Sequence, residues 1–262
     1  MPVLQANKQS DSFKGVFQKL FSRKRKELEP LDFSVLVTDM HSHLIPGIDD
    51  GVKTLEESIS LIKKLQTLGY KKIVTTPHIM ADFYKNTPEI ILSGLQKVKN
   101  KLKEEKIEIE ISAAAEYYID EDFENKMGKH QLLTFGKNYV LIELSYVYPP
   151  SNVQQVIMNL IMDGYTPILA HPERYPYWAN KIEEFQKLKD SGVLFQLNIN
   201  SLTGHYSPLA QKMAHKMIDM NFFEFVGTDA HRMQHLNLAE HTQTDEYLHK
   251  LFSSGKLLNN IV

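Results

Sequence analysis

The chain contains no cysteine, which excludes structural disulfides, thiolate-ligated zinc and any hydrolytic route through a phosphocysteine. It also lacks a continuous apolar run of about 18 residues, so no segment is suited to cross a bilayer as a helix. The N-terminus has neither the apolar core nor the small-residue cleavage site of a secretory signal, and the expected location is cytoplasmic. Positive charge is not in excess either. Lys and Arg number 30 against 32 Asp and Glu, a net charge of −2, and no nucleic-acid partner is expected of such a balance. No internal repeat or low-complexity segment occurs. What remains is a chain of 262 residues with 42% hydrophobic content, enough for one globular α/β domain and a short appendage. Any metal must be held by nitrogen and oxygen, and the 11 histidines become the residues to place.

The appendage comprises residues 1–33. Phe13, Val16, Phe17, Leu20 and Phe21 fall at helical spacing and are followed by the basic run Arg23, Lys24, Arg25, Lys26, the pattern of an amphipathic helix. Three readings stay open. Such a helix packs on its own domain or an oligomer partner, rests weakly on an anionic membrane surface, or is partly disordered.

From Ser34 to the C-terminus at 262, short β-branched runs alternate with amphipathic stretches, the signature of repeated β-α units around a parallel sheet. Seven strands are expected: Val35 to Thr38, Lys72 to Thr75, Ile107 to Ala113, Tyr139 to Ile142, Pro167 to Leu169, Val193 to Leu197 and Phe223 to Val226. The first helix is expected from about Thr54 to Leu68, stopped at Gly69. A second starts near Pro88, and a third runs from about Ser151 to just before Gly164. The expected fold is a distorted seven-stranded β/α barrel of the TIM type.

In such a barrel the loops leaving the C-terminal strand ends converge over one mouth. Six of the seven strands deliver a potential metal ligand there: Asp39-Met40-His41-Ser42-His43 after the first, then His78, Glu116, Glu143, His171, and Asp229-Ala230-His231 after the last. Each has an ordinary alternative. His-x-His pairs arise by chance, Asp49-Asp50-Gly51 makes a good turn, and His78 could be a satisfied loop histidine. Glu116 and Glu143 could pair with buried Lys or Arg, Arg174 could form a surface salt bridge, and Thr228-Asp229 could cap a helix. The argument rests on the set, since polar groups at buried strand ends are costly unless paired or coordinated. Arg174, beside His171, is suited to a bidentate grip on phosphate.

In order and spacing these motifs resemble the polymerase and histidinol phosphatase (PHP) superfamily, specifically its bacterial capsule-type manganese-dependent tyrosine phosphatases. The resemblance runs from Asp39 to the C-terminus through Asp49-Asp50-Gly51, Thr76-Pro77-His78, Ala115-Glu116-Tyr117-Tyr118, Ile142-Glu143-Leu144-Ser145, His171-Pro172-Glu173-Arg174 and Thr228-Asp229-Ala230-His231. It implies three metal ions. His41, His43, Glu116 and Asp229 would hold one, Glu116 would bridge to a second with Glu143 and His171, and Asp50, His78 and His231 would hold a third. Histidinol phosphatases tend to carry His where this chain has Asp50, which favours the tyrosine phosphatase branch. Catalysis is expected from Glu116 and from Arg174 as the phosphate ligand, with a metal-activated water as nucleophile. The ligand set itself fits Mn, Fe or Zn, and manganese follows from the resemblance. The implied partner is a membrane-bound bacterial tyrosine autokinase of capsule or exopolysaccharide export, with the N-terminal helix holding the enzyme at the inner face of the membrane. Alternatives are a phosphoesterase of the same fold acting on a small metabolite or nucleic acid, and a non-catalytic scaffold.

Overall fold

The computed structural model describes residues 28–128 and 132–262; the amphipathic helix expected over Phe13 to Lys26 lies outside them. Nine short strands are present among the described residues: β1 (Thr38–Asp39), β2 (Lys72–Thr75), β3 (His78–Ile79), β4 (Glu110–Ala113), β5 (Glu116–Tyr118), β6 (Tyr139–Glu143), β7 (Thr166–Ala170), β8 (Leu194–Asn198) and β9 (Phe225–Gly227). All pairings between them are parallel. They form two sheets, β1-β2-β4 and β3-β5-β6-β7-β8-β9.

The nine strands occupy seven staves of one barrel, because two staves are broken. Pro77 has no N–H to give to a ladder, and the second stave is interrupted at Thr76-Pro77 before resuming as β3. The third breaks at Ala114-Ala115 and resumes as β5. Backbone bonds bridge the gaps: Thr76 N donates to Ser42 O at 2.7 Å, Ala114 N to Thr75 O at 2.9 Å and Glu116 N to Pro77 O at 3.1 Å. The ring closes between the first and last staves, where Ser42 and Ala230 form a parallel bridge and Asp229 N donates to His41 O at 2.8 Å. A buried carboxylate reinforces this seam, Asp39 accepting from both the N–H and the hydroxyl of Thr228.

Eight helices of the described residues surround the barrel: α1 (Leu55–Thr67), α2 (Pro88–Glu104), α3 (Glu121–Lys126), α4 (Val153–Met162), α5 (Ile182–Asp190), α6 (Pro208–Asp219), α7 (Met233–His241) and α8 (Glu246–Ser253). Local sequence sets their starts. Thr54, Thr87 and Ser207 each accept a hydrogen bond from the third residue beyond, and the last two precede Pro88 and Pro208, whose missing N–H costs nothing in a first turn. None of these helices is long and apolar enough to cross a membrane. Their apolar faces pack on the outer side of the staves, while Met40, Val74, Leu141, Ile168, Ala170 and Phe225 form a second buried cluster on the inner side.

The first expected strand is displaced. Asp32 accepts from Ser34 N at 2.8 Å and caps a 3-10 turn over Phe33–Val35; Val35 is exposed, Val37 has φ +64°, and pairing begins only at Thr38. A β-branched run had predicted a strand where a side-chain cap imposes a turn. The turn lies so close to Gly69 that a Cβ there would meet Ser34 N at 2.7 Å, so Gly69 admits the chain as well as ending α1. Phe33 is fully buried against Tyr70 and Phe252.

Candidate metal centre

Histidines 41 and 43 leave β1 in extended backbone, so their rings fall on one side. Two further groups reach the mouth through unusual backbone: His171 has φ +34° and Asp229 φ +49°, left-handed values that are uncommon for residues with a side chain. The turn at His171 opens a 3-10 turn over Pro172–Arg174 and so brings His171 and Arg174 to the same cleft.

The tautomers can be worked out from the partners. His41 Nδ1 lies 2.9 Å from Gln196 Oε1, an oxygen that only accepts, so Nδ1 carries the proton. His43 Nδ1 lies 2.8 Å from Asp49 Oδ2 and donates likewise. In the neutral rings both Nε2 atoms then bear lone pairs. They are 3.3 Å apart and face the same two carboxylate oxygens, Glu116 Oε2 at 3.1 and 3.3 Å and Asp229 Oδ1 at 3.3 Å from each ring. Four acceptors converge on one buried point, an arrangement that repels itself unless a cation or protons occupy it. This donor set fits a metal ion, with Gln196 and Asp49 orienting the two imidazoles from behind.

Two more groups of potential ligands adjoin the first. The ligand atoms of His43, Asp50, His78 and His231 lie within 4.8 Å of one another, as do those of His78, Glu116 and Glu143. Nδ1 of His78 is buried without a hydrogen-bond partner, the mark of a group awaiting a ligand. His171 Nε2 sits 3.2 Å from Glu116 Oε1 and 3.6 Å from Glu143 Oε1. Glu116 belongs to two of the three groups and is 1% exposed.

Electrostatics agree with a site built for positive charge. At His41 burial works against the charged ring, yet Glu116 and Asp229 carry its pKa up to about 9. Burial and the neighbouring Glu116 push Glu143 up to about 8. Without a cation, protons take its place. Arg174 lines the same cleft, of about 650 Å3; its Nη1 donates to Asp229 Oδ2 at 3.0 Å, and its guanidinium lies 3.9 Å from the Tyr206 ring centre and 4.9 Å from that of Tyr146. One edge of the guanidinium is thus pinned while other N–H groups stay available.

All nine expected ligands and Arg174 come together at this mouth. Several residues that position them were not singled out from sequence. Asp49 passed as part of a turn; Gln196 and Asn198, which donates to Asp229 Oδ2 at 2.8 Å, are amides on the one strand that delivers no ligand; Tyr146 donates to Glu143 Oε1 at 2.7 Å. A usable signal existed, since polar side chains at alternate positions of an otherwise apolar strand, Gln196 and Asn198, need a partner inside the barrel. Gly51 has a further role: a Cβ there would meet His43 O at 2.3 Å, so only glycine lets the Asp49-Asp50 turn approach His43.

Among known proteins, the tyrosine-protein phosphatase YwqE of Bacillus subtilis is 29% identical over 218 residues, covering 82% of this chain and 85% of that protein. The putative tyrosine-protein phosphatase CapC of Staphylococcus aureus is 29% identical over 222 residues, 84% of each. A solved structure from work on YwqE of Bacillus subtilis and CpsB of Streptococcus pneumoniae, described as unique metal-dependent tyrosine phosphatases, superposes with a TM-score of 0.73 at 26% identity, covering 85% of this chain and 94% of that one. An amidohydrolase from Mycoplasma synoviae, at 14% identity and TM-score 0.52 over 88% and 87% of the two chains, shares the distorted-barrel fold alone. The family described as capsular polysaccharide synthesis, CpsB/CapC, matches residues 37–255, a span that holds all nine strands and the whole polar cluster, and the chain belongs to that family.

Proposed function

We propose that this chain is a metal-dependent protein-tyrosine phosphatase, with residues 34–262 as its catalytic domain. The observation that carries the reading is the convergence of two imidazole lone pairs and two carboxylates on one buried point, in a cleft that Arg174 also lines. His41, His43, Glu116 and Asp229 would hold one cation, Glu116, Glu143 and His171 a second, and Asp50, His78 and His231 a third, with His43 close enough to serve the third group as well. Manganese is the proposed metal. Bound cations supply an activated water and neutralise charge on the phosphoryl group in flight.

The protein's own groups do the rest. Arg174, held by Asp229 and stacked on Tyr206, offers its free N–H groups to the non-bridging oxygens of the phosphate. Tyr146 fixes Glu143 by a hydrogen bond, and Asp49 and Gln196 keep the protons of His43 and His41 turned away from the cleft. A tyrosinate leaving group has a conjugate-acid pKa near 10, far below that of a serine alkoxide, so its departure needs little help from an acid.

The proposed substrate is a phosphotyrosyl protein, specifically a membrane-bound tyrosine autokinase of capsule or exopolysaccharide export, which places the enzyme in the cytoplasm, close to the membrane. The test is phosphate release from a phosphotyrosyl peptide after chelation and again with manganese restored, beside a phosphoseryl peptide and single-stranded DNA. Manganese-dependent, tyrosine-selective release is expected; cleavage of DNA instead, or no release, would sink the phosphatase reading.

A further inference from the structure

The exposed rim of the cleft carries charged Asp50 and Arg232 and, apart from them, two large apolar side chains. Phe83 is 71% exposed and Val147 80%, yet both line the same cleft as Glu116, Asp229 and Arg174. A scattered exposed apolar residue needs no explanation, but these two are presented by pinned loops. Met80 and Tyr84 exchange two backbone hydrogen bonds, at 2.9 and 3.0 Å, and close a tight hairpin that displays Phe83. Ala81 N donates to Asp120 Oδ2 at 2.9 Å and ties that hairpin to the domain. In the other loop Val147 N donates to Ser145 Oγ at 3.1 Å, and the preceding Tyr146 is tied through its hydroxyl to Glu143 Oε1 at 2.7 Å. Phe83 follows β3 and Val147 follows β6, while Tyr118, at the end of the intervening β5, lines the cleft between them.

We infer that Phe83, Tyr118 and Val147 form an apolar lip that selects aryl over alkyl phosphomonoesters by packing on the ring of the ester. The inference rests on the phosphatase reading of the floor and names what fixes its substrate class. A phosphotyrosine places a whole aromatic ring between the phosphate and the peptide, whereas a phosphoserine places one carbon there. With the phosphate on the floor beside Arg174, an aryl ester would extend a ring of carbon toward the lip where a seryl ester offers one methylene. Sugar and glycerol phosphates would set hydroxyls against Phe83 and Val147, which offer them no partner, a desolvation cost with no return. The rings of Phe83 and Tyr118 also offer the flat aryl ring aromatic contacts.

The test measures binding rather than turnover. Calorimetry on the manganese-loaded protein compares phenylphosphonate with methylphosphonate, for the wild type, Phe83→Ala, the double variant Phe83→Ala/Val147→Ser, and Met158→Ala, an exposed apolar control on α4 away from the cleft. The wild type is expected to prefer phenylphosphonate by about tenfold or more, on the apolar area the ring buries, and the double variant to lose most of that preference while Met158→Ala keeps it. Equal wild-type affinities, or a preference that survives in the double variant, would overturn the lip. The peptide assay separates the two claims: aryl preference without phosphate release refutes the catalytic reading and leaves the lip, while release without aryl preference refutes the lip alone.

Discussion

Phe195 and Gln196 are neighbours on β8 and do opposite work. Phe195 points outward, fully buried against Phe185 and Phe222. Gln196 points inward and holds His41. The same alternation runs around the barrel: register places Leu141 beside Ile168 and Ile168 beside Leu194 on the inner side; one step further come Glu143, Ala170 and Gln196, and at the strand ends His171, turned by its left-handed backbone, and Asn198. The outer layer stabilises the domain by close packing, whereas the inner upper layer gathers buried polar groups that stabilise it only when they are matched. Stability and chemistry therefore occupy opposite faces of the same strands.

That division can be broken from either face. Phe195→Ala should cost about 3–5 kcal/mol of unfolding free energy, read by denaturant titration, with ligand distances and metal stoichiometry retained in whatever protein folds. Loss of metal at full stability would erase the division. On the inner face, Glu116→Gln should lower turnover by roughly a hundredfold or more and empty part of the site, since one carboxylate serves adjoining groups of ligands; elemental analysis beside kinetics checks both, and full occupancy with normal turnover would remove the shared role. Asp49→Asn keeps size but weakens the acceptor that orients His43, and metal affinity should fall by about tenfold or more, measured by competition with a chelator. Arg174→Ala should reduce phosphatase activity by more than about tenfold with metal content nearly intact, and unchanged activity would take Arg174 out of the phosphate site.

The smallest expected effect concerns protons. At pH 7 the solution lies below the pKa of His41, about 9, and of Glu143, about 8, so both groups are protonated when no metal is bound. A cation must displace those protons. Loading at pH 7 should release them, and affinity should rise as the pH goes from 7 toward 9. Calorimetry in two buffers of different ionisation heat counts the protons, and a count of zero would mean that the convergent point is not held by protons in the metal-free protein.

The clustered His, Asp and Glu side chains were legible as candidates in sequence because metal chemistry uses few residue types and because strand ends in a parallel barrel share one mouth. Hydrophobic runs placed Lys72 to Thr75 to the residue and the last four strands to within one or two, while the third begins at Glu110, three residues after the expected Ile107. The first strand was misplaced because a single Asp32 side chain redirects Phe33–Val35, a local contest that a run of β-branched residues does not reveal. The broken staves were invisible for a related reason: β3 and β5 have two and three residues, too short for any period.

By itself, the sequence determined which polar residue types gather, the parallel α/β pattern and the end of the barrel where they meet, all of which follow from residue type and from periods of two and 3.6 along the chain. Only the tertiary structure decided which nitrogens of His41 and His43 turn toward Glu116 and Asp229, and that Asp49, Gln196 and Asn198 stand behind the clustered side chains. Those assignments depend on contacts between residues as far apart as His41 and Gln196, and side-chain direction at such separations is set by packing around the closed ring, which no local window of sequence contains.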